Sequence, residues 1–151
     1  MIVAQEALEA FGMKDEESFS KLVQSMIKDT MVELLGIEIV EITLDRVIMT
    51  MLVGPKTRQV AGILHGGASV VLAETAASWA TEINIDQKRF RTVGMEINAN
   101  HIRSKSDGII TATATPYHKG RSSMIWEIKI TDEDGKLICI SRCTMAVIAR
   151  I

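Results

Sequence analysis

Gln59-Val-Ala-Gly-Ile-Leu-His65-Gly66-Gly67-Ala-Ser-Val-Val-Leu-Ala-Glu74-Thr-Ala-Ala-Ser78-Trp-Ala80 joins a glycine pair to a run of small and apolar residues broken by one carboxylate. From Gly66 onward the run predicts a helix over about 66–84, and Glu74 is the only charged side chain between His65 and Thr81. A helix with a solvated face repeats polar residues at three- and four-residue spacing. Glu74 instead has Val70, Val71, Ala77, Ser78 and Thr81 as its helical neighbours. Desolvating a carboxylate on such a surface costs several kcal/mol unless something offsets it, so the position suggests use. The plainer alternative is a half-exposed Glu that reaches water or pairs with a distant Arg.

His65-Gly66-Gly67 brings a backbone bare of side chains to the start of that helix, where the first amide N–H groups lack partners. A helix start carries partial positive charge and can hold an oxyanion or a polarised carbonyl, although a glycine pair alone reads equally as a flexible turn. Gly66 and Glu74 are eight residues apart, about 12 Å along one helix axis. One reacting carbonyl cannot touch both. If the two serve one reaction they come from two copies of the chain, with helices antiparallel across a two-fold axis, which predicts a homodimer with two shared sites. Ala68, Ala73, Ala76, Ala77 and Ala80 suit close packing of this helix against a neighbour.

The chain has 151 residues, 47% of them hydrophobic, which fits one compact domain. A net charge of −2 argues against a general nucleic-acid binder. Cys139 and Cys143 are the only cysteines. Four residues apart on a predicted strand, they stand about 13 Å from each other and cannot pair. With three His and no CxxC, neither a disulfide framework nor a metal site is expected. The amino terminus lacks an export signal and no segment reaches the roughly 20 apolar residues of a bilayer span, so the expectation is a cytoplasmic protein with no membrane partner.

Residues 1–17 form an amino-terminal extension, of which 1–15 read as a short helix or loose arm, and 18–151 a single domain. Ser18, Phe19, Leu22, Val23, Met26, Ile27, Met31, Leu34 and Leu35 lie at helical spacing, which predicts an amphipathic helix over 18–35 stopped by Gly36. Strands are expected at 37–44 and 46–53 around Asp45, then at 92–103, 109–118, 123–131 and 137–148 between glycine-containing turns. Alternation of Met124, Trp126, Ile128 and Ile130 with Ile125, Glu127, Lys129 and Thr131 is the cleanest strand signal. This order suits an α+β fold, an antiparallel sheet of five to six strands wrapped around the helix at 66–84.

Two further groups can meet a ligand. Gln59 can donate an amide hydrogen to a carbonyl, or be an ordinary loop residue. His101 and Arg103, and separately His118, Lys119 and Arg121 around Gly120, are basic groups suited to phosphate oxygens, or simply solvated strand ends.

The set Gln59-x5-His65-Gly66-Gly67-Ala-Ser-x4-Glu74-x3-Ser78, followed by Glu96-Ile-Asn98-Ala-Asn100-His101 and Gly120-Arg121, resembles the hotdog-fold acyl-CoA thioesterases of the PaaI-like group. The likeness is strongest to the branch acting on aromatic acyl-CoAs such as 4-hydroxybenzoyl-CoA and 1,4-dihydroxy-2-naphthoyl-CoA, and it runs from about Gly36 to Ile148. It implies a hotdog fold with paired sites at a dimer interface, commonly doubled into tetramers, and hydrolysis of an aromatic or medium acyl-CoA without cofactor, coenzyme A being part of the substrate. By that resemblance Gln59 and the Gly66 N–H polarise the thioester carbonyl and His65 holds that end of the site. Glu74 attacks the carbonyl or activates water, and Ser78 positions the water or the carboxylate. His101, Arg103, His118, Lys119, Gly120 and Arg121 match positions near the coenzyme A nucleotide. Two other functions remain open: a non-catalytic acyl-CoA sensor, and an acyl-CoA hydratase, whose Asp–His pair has no obvious counterpart beside Asp86.

Overall fold

The computed structural model describes residues 1–150. Its centre is α4 (Gly66–Glu82), whose buried face consists of Ala68, Ser69, Leu72, Ala73, Ala76, Ala77, Trp79, Ala80 and Thr81. Small side chains at three- and four-residue spacing let the sheet approach this helix closely. Strands β2 (Glu38–Thr43), β3 (Arg46–Leu52), β4 (Phe90–His101), β5 (Ile109–Lys119), β6 (Ser123–Thr131) and β7 (Leu137–Ala149) each touch it. Together with β1 (Ile2–Val3) they form a seven-stranded sheet in the order β1-β2-β3-β5-β6-β7-β4. Every pairing is antiparallel except that of β1 with β2. This is the hotdog architecture, with one strand more than the five to six expected.

The alternation read in β6 is realised: Met124, Trp126, Ile128 and Ile130 are buried against α4. Trp126 also donates its indole N–H to Thr81 Oγ1 at 2.9 Å, so the largest core side chain ties sheet to helix. Register shifts between Gly94 and Glu96 and between Pro116 and His118 mark bulges, which bend strands around the helix.

The expected single helix over 18–35 is two. Asp15 caps α2 (Glu16–Ile27) by accepting from the Ser18 N–H at 2.8 Å. The helix then ends where Lys28 turns extended and Asp29 takes a positive φ of 61°. Thr30 donates its hydroxyl to the Ile27 carbonyl, and the Asp29 N–H donates to Glu33 Oε2 at 2.7 Å. These local side-chain bonds compete with the helical ladder and restart the chain as α3 (Met31–Leu35). Apolar spacing continues across the break, which is why periodicity alone joins the two. Gly36 ends α3 in the left-handed conformation, φ 65°, as its position predicted.

Residues 1–17 are not loose. β1 adds Ile2 and Val3 to the edge of β2, and α1 (Gln5–Ala10) follows. Phe11 then meets Phe19 and Trp79 with ring centroids 5.5 Å away in each case, fastening this segment to α4. Such aromatic pairs contribute about 0.5–1.5 kcal/mol each beyond their buried area.

Candidate active site

The loop before α4 is held by backbone bonds on both sides. The Gln59 N–H donates to Ile63 O at 2.8 Å, the Leu64 N–H to Lys105 O at 2.7 Å and the His65 N–H to Thr57 O at 2.8 Å. His65 is the N-cap of α4, and its Nδ1 accepts from the Gly67 N–H at 2.8 Å. The neutral imidazole therefore carries its proton on Nε2. With the Gly67 amide engaged, the Gly66 N–H is left without an acceptor among the described residues. Gln59 Oε1 accepts from the Ala61 N–H, and the Gln59 amide nitrogen, a donor, makes no hydrogen bond among the described residues.

Gln59, Gly66, Ser69, His101 and Arg103 line one cleft of about 270 Å³. His101 packs on Gly66 so closely that a Cβ there would sit 2.6 Å from Nε2, which accounts for glycine at this position. Sequence reading missed Ser69, which is 1% exposed. Its Oγ is the one buried side-chain polar atom without a hydrogen-bond partner among the described residues. Its signal was a serine three residues past Gly66, on the same side of the first turn.

Glu74 does not line this cleft. It is half-buried on a stripe of α4 with Val70, Val71, Thr75, Ser78 and Glu82, and no ion pair among the described residues includes it. Its carboxylate lies over Gly94 of β4, where a Cβ would come within 2.6 Å of Oε1. The strand glycine is thus the place made for the acid, a role that glycine within a strand can signal. Ser78 donates its hydroxyl to the Glu74 carbonyl oxygen at 2.8 Å, so it bonds the backbone of its own helix and not the Glu74 carboxylate. Along α4 the matches with β4 run antiparallel: Gly66 with His101, Glu74 with Gly94, and Glu82 accepting from Thr92 Oγ1.

Cys143 offers no competing nucleophile. Burial first, then the charges of Glu74 and Glu96, push its thiol up to about 12, and burial likewise raises Cys139. Both are free, buried and protonated at neutral pH.

The second basic group lies elsewhere. Lys119 reaches Asp45, the Leu44 carbonyl at 3.4 Å and Asn84 Oδ1 at 3.3 Å, beside the C-terminal end of α4. His118 stands over Gly120, whose N–H donates to Ser123 O at 2.9 Å, and Arg121 is exposed outside every ion pair among the described residues. His101 packs on Gly66 at the start of α4 and Lys119 meets Asn84 just past its end, so the 17 residues of that helix hold the two groups about 25 Å apart along its axis. One chain therefore brings together Gln59, His65, Gly66, His101 and Arg103, and keeps Glu74 with Ser78, and Lys119 with its neighbours, apart from them.

Residues 61–139 match the thioesterase superfamily. The chain is 51% identical to a 1,4-dihydroxy-2-naphthoyl-CoA hydrolase of Listeria monocytogenes over 76% of its own length and 93% of that protein. To the Escherichia coli protein of the same name it is 41% identical, over 83% of this chain and 92% of that one. A solved structure of a variant of thioesterase PA1618 from Pseudomonas aeruginosa superposes with a TM-score of 0.83 and 38% identity, covering 86% of this chain and 94% of that chain. The chain belongs to the thioesterase superfamily and is an enzyme of the thioester-hydrolysing kind.

Proposed function

We propose that this enzyme hydrolyses an acyl-CoA thioester, aromatic or of medium length, to the free acid and coenzyme A, using sites shared between two copies of the chain. The observation that carries the reading is the unengaged Gly66 N–H facing a cleft that also holds Gln59, His101 and Arg103, while the isolated Glu74 stands apart over Gly94. The Gly66 amide and the Gln59 side chain polarise the carbonyl, and Arg103 is free to meet phosphate oxygens at the cleft rim. Glu74 of the second copy attacks the carbonyl carbon or takes a proton from water, and the thiolate leaves without a strong general acid. No metal or redox cofactor enters these steps.

Assembly has support in β4. Among the described residues it pairs only with β7, so its 12 residues form a long sheet edge, with Val93 41% and Met95 65% exposed. Long, apolar, open edges are pairing surfaces. Antiparallel pairing of two β4 strands about a two-fold axis near Ile97 and Asn98 would set Gly94 of one opposite His101 of the other. Glu74 and Gly66 follow those two residues, and the half-buried stripe of α4 gains a cover.

Thiol release from a panel of aromatic, short and medium acyl-CoAs tests the substrate class. Glu74→Gln is expected to lower kcat at least about 100-fold, on the order of 3 kcal/mol of barrier, with the melting temperature little changed. Parental turnover of every acyl-CoA by that variant would overturn the reading.

A further inference from the structure

Glu74, Ser78 and Glu82 form a row along α4, one turn apart, leading away from the proposed reaction centre towards the amino-terminal segment. At the far end of the row lies a cleft of about 270 Å³ whose walls include Phe11, Met26 and Thr30 from the amino-terminal segment and Ser78, Trp79 and Glu82 from α4, the Glu82 carboxylate accepting from Thr92 Oγ1. No lysine, arginine or histidine contributes to it, in contrast to the cleft at His101 and Arg103. A second cleft of about 440 Å³ lies on the other side of Ile27, Val32 and Trp79, which line both. The break between α2 and α3 matters here, because it brings Thr30 and Val32 to the wall.

We infer that the amino-terminal segment is the outer wall of the acyl pocket, and that Phe11 and Met26 set which acyl groups the enzyme accepts. The inference rests on the thioesterase reading and assigns its substrate's apolar end. A thioester whose carbonyl sits beside Glu74 has this cleft about two helical turns, about 12 Å, further along the Ser78–Glu82 side, within reach of its acyl group. The cleft's size lies near the lower end of small-molecule pockets, roughly 300–1,000 Å³, and suits an aromatic ring or a medium chain. Met26 is half-exposed at its rim, where a larger side chain fills the space without entering the core.

The test compares kcat/KM for acetyl-CoA, octanoyl-CoA and benzoyl-CoA in the full-length chain. Met26→Trp is expected to lower the octanoyl/acetyl and benzoyl/acetyl ratios at least about tenfold, and Phe11→Ala to raise the octanoyl/acetyl ratio. Lys21→Trp, on the solvent side of α2, keeps the parental ratios. Independently of any cleft variant, octanoate added to the parent protein is expected to shift Trp79 fluorescence, a change lost in Trp79→Phe. Active variants with ratios within twofold of the parent, or no fluorescence response to octanoate, overturn this inference and leave the thioesterase reading standing. A parent inactive on all three CoA thioesters overturns both.

Discussion

Proline at Gly66 removes one N–H, at the cost of displacing the His101 ring that packs on it. Gly66 is the first residue of α4, where proline is tolerated because no helical bond uses its amide. The residue before it, His65, is already extended at φ −74°, ψ 129°, the conformation a following proline demands. Gly66→Pro should therefore retain its helix by circular dichroism, with the His101 ring moving aside, while kcat falls about 100- to 1,000-fold, the usual effect of losing one oxyanion donor. A loss of helix, or parental kcat, would count against the role given to that amide. At this scale the legible signals are local ones: Glu74 has no charged neighbour at three- or four-residue spacing, and His65-Gly66-Gly67 lies at a helix start. Ser69 and the fit of Glu74 over Gly94 depend on what packs across from them, which spacing along one element does not record.

At the scale of elements, the loop before α4 is steadied by its neighbour at 103–108. Lys105 gives its carbonyl to Leu64, and its ammonium pairs with Glu133, which also accepts from the Ile109 N–H. The Lys105 bond first, then backbone N–H groups, holds the Glu133 carboxyl down at about 2, from an ordinary 4.5. A depressed carboxylate stabilises the fold above its unfolded value and loses that contribution as pH falls towards its folded one. Glu133→Gln is thus expected to lower the melting temperature at pH 7, with the gap from the parent closing between pH 4.5 and about 2. A gap independent of pH would contradict this. Six strands and the central helix were readable from alternation and turn residues. The break at Asp29 was not, since its hydrogen bonds interrupt a helix whose apolar period does not falter. Nor was β1, two residues long and stabilised only by a partner some forty positions away.

On the scale of the whole molecule, the twelve ångströms between Gly66 and Glu74 that helix geometry implies become two separate surfaces of one chain, and His101 and Lys119 fall at opposite ends of α4. The sequence places these groups on elements but not relative to one another, because strand order and the free edge of β4 emerge only when the sheet closes. In the proposed mechanism a second copy joins the two halves of the site. Co-expressing the Glu74→Gln and Gly66→Pro chains measures this most directly, since each mixed dimer holds one site with both groups intact and one with neither. Two nearly inactive parents are expected, and a mixture with about a quarter of the unmodified activity, half the dimers carrying one good site of two. Activity in the mixture no greater than that of the separate variants would contradict the shared site.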